Sequence, residues 1–219
     1  MTKIITGFIL ISLLLASLRV QAQHCDIDSL NARFVTMKQK DQDIRKELMK
    51  AVSQYQKDGS GQMNLLTLSG KMKAQDQQNQ AELLHIFQGC GWPEVLKEDS
   101  HSTIYLILQH SPDALMREHY PTVEAYAQKG LLAPDDAATM YDRLQMNAGL
   151  PQRYGTQTFS DSQNRNQVWP VEDVEKLEDL RKSVGLPTME AYFQIARDSF
   201  KVEMVWDKTL TLEKAKKMK

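Results

Sequence analysis

The chain has 219 residues, of which 27 are basic and 28 acidic, for a formal net charge of −1 and a mean hydropathy of −0.47. So even a balance excludes a surface built globally for nucleic acid or for an anionic membrane. The two cysteines, Cys25 and Cys90, form no Cys-x-x-Cys pair, so a thiolate metal centre is not indicated.

The amino terminus has the pattern of an export signal. Lys3 precedes an almost wholly apolar run from Ile4 to Leu18, and Val20-Gln21-Ala22 places aliphatic and small residues where a signal peptidase reads them. This predicts a secretory signal peptide over residues 1–22, cut before Gln23. A membrane span needs roughly 20 apolar residues, whereas this run is shorter and is interrupted by Thr6, Gly7 and Ser12. His24 is bulky where a lipoprotein site ahead of Cys25 requires a small residue, which disfavours lipidation. No later segment is long and apolar enough to cross a bilayer, so no integral membrane segment is expected after cleavage. Cleavage removes Lys3 and Arg19, leaving 25 basic against 28 acidic residues and a net charge of −3. Export to a periplasmic or extracellular compartment, where disulfides persist, favours a Cys25–Cys90 bridge.

From Asp26 to Gln56, Ile27, Leu30, Phe34, Met37, Ile44, Leu48 and Val52 recur at three-, four- and seven-residue steps among charges, an amphipathic helix with a narrow apolar stripe. "KDGSG" breaks it, and Asn64 to Gln88 resumes helical composition until "GCGWP". Residues 23–82 thus read as an amino-terminal helical hairpin. Residues 83–199 read as a helical domain: "STIYLILQH" suits a buried helix, Ser111-Pro112 suggests a cap and first position of the next, and Gly130 its stop. Pro134 opens another helix, with Asp135 and Asp136 at the positive end of its dipole and a stripe of Ala137, Met140, Tyr141, Leu144 and Ala148. Gly149 and Pro151 end it and deliver "QRYGTQ", Gln152 to Gln157, into a loop. "TQTF" and "QVWPV" form a short β-hairpin around "SDSQNRN", followed by helices at about Asp173–Ser183 and Thr188–Ser199. Residues 200–219, with Lys214, Lys216, Lys217 and Lys219, read as a basic, solvated tail. The fold class is mainly α, a helical domain with one short β-hairpin preceded by the helical hairpin.

No Walker loop, dinucleotide glycine pattern, Gly-x-Ser-x-Gly elbow or His-Glu-x-x-His arrangement occurs, so no cofactor is indicated. His101, His110 and His119 are spaced by nine, which on a helix is about half a turn out of phase, so no metal site is expected from them. His110 stands out because it ends an apolar helix directly before Ser-Pro. Asp142 and Arg143 lie off the centre of the apolar stripe, and periodicity alone assigns them to a solvated face.

Taken in order, "GWP" (Gly91 to Pro93), "QH" (Gln109, His110), "YDR" (Tyr141 to Arg143), "QRYGTQ" and "RKSVGLPTMEAY" (Arg181 to Tyr192) resemble the bacterial domain-of-unknown-function family 6624. The resemblance covers about Leu83 to Phe193 and leaves the amino-terminal hairpin outside. It implies a shared site without naming a chemistry. The signature groups Gln109, His110, Asp142, Arg143, Gln152, Arg153, Tyr154, Thr156, Gln157 and Arg181. In one polar pocket, His110 and Asp142 would be the acid/base pair, and the other residues would bind ligand. Three functions fit: a domain binding a small molecule or an envelope protein; a hydrolase-like enzyme using His110 and Asp142; and a structural envelope protein in which the same residues form a buried polar network.

Overall fold

The computed structural model describes residues 25–161, 163, 165–200 and 202–219. The expected signal peptide lies outside the described residues. Helix α1 (Ile27–Asp58) begins at Asp26, whose carboxylate accepts from the Asp28 and Ser29 N–H groups. It stops at Gly59, whose φ of 72° closes the turn through a bond to the Tyr55 carbonyl. Helix α2 (Gln62–Cys90) returns antiparallel, and Cys25 and Cys90 are joined by a disulfide with Cα atoms 5.7 Å apart. Its sequence separation of 65 corresponds to about 4 kcal/mol of restraint on the unfolded chain in the loop-entropy model.

The hairpin is not a separate body. Leu30, Phe34 and Met37 of α1 join Leu83 and Ile86 of α2 in one apolar cluster with residues of three further helices. These are Ile104, Ile107 and Leu108 of α3 (Glu98–Gln109), Met116, Val123 and Tyr126 of α4 (Asp113–Gln128), and Ala137, Met140 and Leu144 of α5 (Pro134–Asn147). A boundary at residue 82 therefore falls inside α2. Asn31 makes the union specific: its side-chain oxygen accepts from Lys97 N at 3.1 Å and Ser100 Oγ at 2.7 Å, capping α3 from a different helix. Ser111 does not cap α4. Its hydroxyl donates back to the Ile107 carbonyl at 2.7 Å, and Pro112 takes the cap position with extended backbone.

The β-hairpin forms as its sequence suggests, β1 (Thr158–Ser160) antiparallel to β2 (Asn166–Val168) with Phe159 opposite Gln167. Asp161 holds the turn, accepting from the Gln163 and Arg165 N–H groups and from the Arg165 and Gln167 side chains. Helix α6 spans Leu177–Ser183, later than the expected start at Asp173, because Asp173 instead closes a turn by accepting from Lys176 N. Helix α7 (Met189–Ile195) runs into a π-helical turn, Ala196–Phe200.

The carboxyl-terminal tail departs from the sequence reading. Residues Met204–Val205 form β3, parallel to β2, and Leu212–Met218 form α8. Leu210 and Ala215 are buried against Phe159 and Trp169, with Leu212 and Met218 packed beside them. The apolar residues share one face of α8, so the lysines do not decide the behaviour of this segment. Trp169, 1% exposed, donates its indole N–H to the Leu150 carbonyl, which fixes the hairpin to the end of α5.

Candidate functional site

Gln152 to Gln157 wrap around Asp142, and this contact divides the expected site in two. Asp142 is fully buried, not on a solvated face: α5 is packed on more than one side, with Ala138 and Asp142 buried as well as Ala137, Met140 and Leu144, while Ala148 is exposed. Its carboxylate accepts from the N–H groups of Arg153 at 2.7 Å, Tyr154 at 3.0 Å and Thr156 at 3.0 Å, and from the Thr156 hydroxyl. Burial pushes the carboxyl above its ordinary range, and these hydrogen bonds oppose the shift.

The rest of the loop is held in the same way. Gln152, with no exposed surface, donates to the Gln157 and Trp169 carbonyls and accepts from Gln157 N at 2.8 Å. Arg181, 1% exposed, donates to the carbonyls of Pro187, Tyr154 and Gly155 and lies over the Tyr192 ring, and burial lowers its pKa. Gly155 has a φ of 68°, and a Cβ there would come within 3.2 Å of the Met189 sulfur. Arg153 and Tyr154 point away from this brace: Arg153 pairs with Glu172 at 3.1 Å and sits over Tyr141, and Tyr154 stacks edge-on against the same ring. Asp142, Gln152, Thr156 and Arg181 thus form an internal polar brace.

The other residues do meet at a cleft. Gln109, His110, Arg143 and Gln157 line an open polar depression of about 370 Å³ between the end of α3, the start of α4, α5 and β1, with Asp113 and Asn147 at its edge. Asp113 is occupied, accepting from Arg117 at 2.6 Å and Asn147 at 3.1 Å. Arg143 is half-buried, and its one hydrogen bond among the described residues runs from Nη1 to the Gln109 carbonyl at 3.1 Å. Burial pulls its pKa down. Among the described residues, five buried side-chain polar atoms have no partner; two of them, Gln109 Oε1 and Arg143 Nε, belong to residues lining this cleft, and a third, His110 Nδ1, is turned toward Asp41 behind it. Each such group costs about 1–3 kcal/mol when left dry and unpaired, so a polar ligand or water that reaches Gln109 or Arg143 recovers most.

Sequence reasoning missed the partner behind His110. Its Nδ1 lies 3.5 Å from Oδ1 of Asp41, an ion-pair separation that falls short of hydrogen-bond geometry. Asp41, 2% exposed on α1, also accepts from Gln42 and Arg45, and Arg45 reaches on to Asp76 of α2 at 2.5 Å. Burial works to raise the Asp41 pKa, but the His110 and Arg45 contacts prevail and lower it to about 2. Asp41, Asp76 and His110 offer ligand atoms within 4.8 Å of one another, a geometry that could hold a cation. The Arg45 guanidinium already pairs with both carboxylates and offsets one of their two charges. His101 and His119 are elsewhere, His101 accepting from the Trp92 indole and His119 packed on Phe87.

A model of a family of unknown function, DUF6624, matches residues 28–205, which takes in the amino-terminal hairpin as well as the region of the motifs. The shared apolar core of the hairpin and α3–α5 explains why the match does not begin near Leu83. No curated protein and no solved structure matches the chain.

Proposed function

The chain belongs to this family of unknown function, DUF6624, and from that premise we propose that it is an exported ligand-binding protein whose cleft takes a small molecule bearing an oxyanion, a carboxylate or a phosphate. The supporting observation is Arg143: a half-buried guanidinium that opens on a polar cleft, has no carboxylate in contact among the described residues, and has an unpartnered Nε. With Nη1 turned to the Gln109 carbonyl and Nε buried, Nη2 is the donor left for an oxyanion. The Gln109 and Gln157 amides complete the wall with groups that can donate or accept. Asp142 and the loop behind it serve this cleft by holding Gln157 in position. The Cys25–Cys90 disulfide supports export, since such bonds persist outside the cytoplasm.

The reading is tested by thermal unfolding of the mature protein in inorganic phosphate and in acetate, beside the Arg143→Met variant. Ligand at 100 times its Kd stabilises the folded state by about 2.7 kcal/mol. A midpoint rise in the wild type that Arg143→Met lacks is the expected result. Equal behaviour of the two proteins in every anion would overturn it.

A further inference from the structure

The cleft holds a histidine whose two ring nitrogens are in different surroundings. His110 Nδ1 is buried and directed at Asp41, while among the described residues Nε2 has no hydrogen-bond partner and is not one of the buried unpartnered atoms. Since His110 lines the cleft, Nε2 is the nitrogen left facing a ligand. Asp41 is a fixed partner: it is almost wholly buried, anchored by Arg45 and Gln42, and carried by a helix of the same core. With Nδ1 turned toward that carboxylate at 3.5 Å, the imidazole has its other nitrogen, Nε2, left for the cleft, where Arg143 supplies positive charge. Ser111, the hydroxyl adjacent in sequence, is not available as a nucleophile because it donates to the Ile107 carbonyl at 2.7 Å.

We infer that His110 is a general base and acid for hydrolysis of carboxylic esters in this cleft, with Asp41, not Asp142, as its positioning residue. The inference rests on the oxyanion reading of the same cleft. Nε2 takes a proton from water as the water oxygen attacks the ester carbonyl carbon. The carbonyl π pair moves onto its oxygen, which lies against Arg143. The tetrahedral species collapses, the carbon–oxygen bond to the alcohol breaks with its electron pair, and Nε2 returns the proton to that oxygen. The products are the alcohol and a carboxylic acid, whose ionised form is the anion that Arg143 is placed to hold.

The test uses the mature protein with p-nitrophenyl acetate as probe. A positioned general base contributes about 100-fold or more, so His110→Ala should lose about that factor and recover turnover in part when imidazole is added, measured above the rate of imidazole without protein. His110→Gln provides a second variant with the ring replaced by a hydrogen-bonding side chain of lesser volume. Asp41→Asn should lower kcat about tenfold and leave KM unchanged when the rate is expressed per folded molecule, the folded fraction being taken from thermal unfolding of the same sample, and the pH profile of kcat should change with it, which a general loss of folding would not do. Wild-type turnover no faster than that of both His110 variants, or an Asp41→Asn enzyme with wild-type kcat, overturns the inference. The acetate-dependent rise in unfolding midpoint, measured on the same samples, separates the two readings: if it persists in the wild type and is absent from Arg143→Met, the hydrolytic role alone has failed.

Discussion

Thr156 donates to Asp142 twice, from its backbone N–H and from its hydroxyl, each over 3.0 Å. With the Arg153 and Tyr154 N–H groups this gives both carboxylate oxygens N–H partners. Asp142→Asn turns one of those oxygens into an NH₂ that faces donors. The expected cost is about 3 kcal/mol, at the upper end for an unpaired buried group because a charged acceptor is lost. For a chain of this size that is a fall of about 6–12 °C in unfolding midpoint, which calorimetry would register. A variant as stable as the wild type would show that the loop does not depend on this carboxylate.

Gln152 and Gln157 are chemically identical and should behave differently. Gln152→Ala strands the Trp169 carbonyl and the Gln157 N–H in the interior, while the Gln157 carbonyl keeps the Trp169 N–H, so about 2 kcal/mol or more should be lost. Among the described residues the Gln157 side chain reaches only the Thr139 carbonyl at 3.4 Å and the Thr156 hydroxyl at 3.1 Å, and it lines the cleft. Gln157→Ala should cost about 1 kcal/mol while weakening anion binding. Chemical denaturation and ligand titration of both variants measure the contrast.

Acid should act through Asp41. Burial works to raise its pKa, the contacts to His110 and Arg45 outweigh that, and the folded value is about 2 against 3.8 for a free side chain. A depressed carboxylate contributes its full stability above the unfolded pKa and loses that contribution as pH falls through the folded one. The wild type should therefore lose stability between roughly pH 5 and pH 2. Urea denaturation across that range should show a shallower acid limb for Asp41→Asn.

Much of the fold could be read from periodicity and turn residues, because Gly59, Gly130 and Gly149 end helices at the places where the apolar pattern stops. Asp41 was legible in principle. The stripe Phe34, Met37, Ile44, Leu48 skips one turn, and the skipped position is Asp41, an acid on a buried face. An acid there, four residues before Arg45, is itself the signal of a buried pair. Asp142 was harder, because one helix stripe predicts one buried face and α5 is covered on more than one. The carboxyl-terminal helix was hidden by its lysines, and the parallel pairing of β3 with β2 joins residues too far apart for local pattern to reveal.

Export predicts a specific terminus. Protein recovered from the envelope or medium should begin at Gln23, as peptide sequencing or intact mass would show. An unprocessed chain beginning at Met1 inside the cytoplasm would remove the basis for that location.

The disulfide also makes a closed ring of the first two helices. A protease that nicks the exposed turn around Ser60 would leave two fragments that travel as one molecule, still aligned by the bond at the opposite end. Releasing them would take a reductant as well as loss of the shared core packing, so the hairpin tolerates a backbone break at its tip.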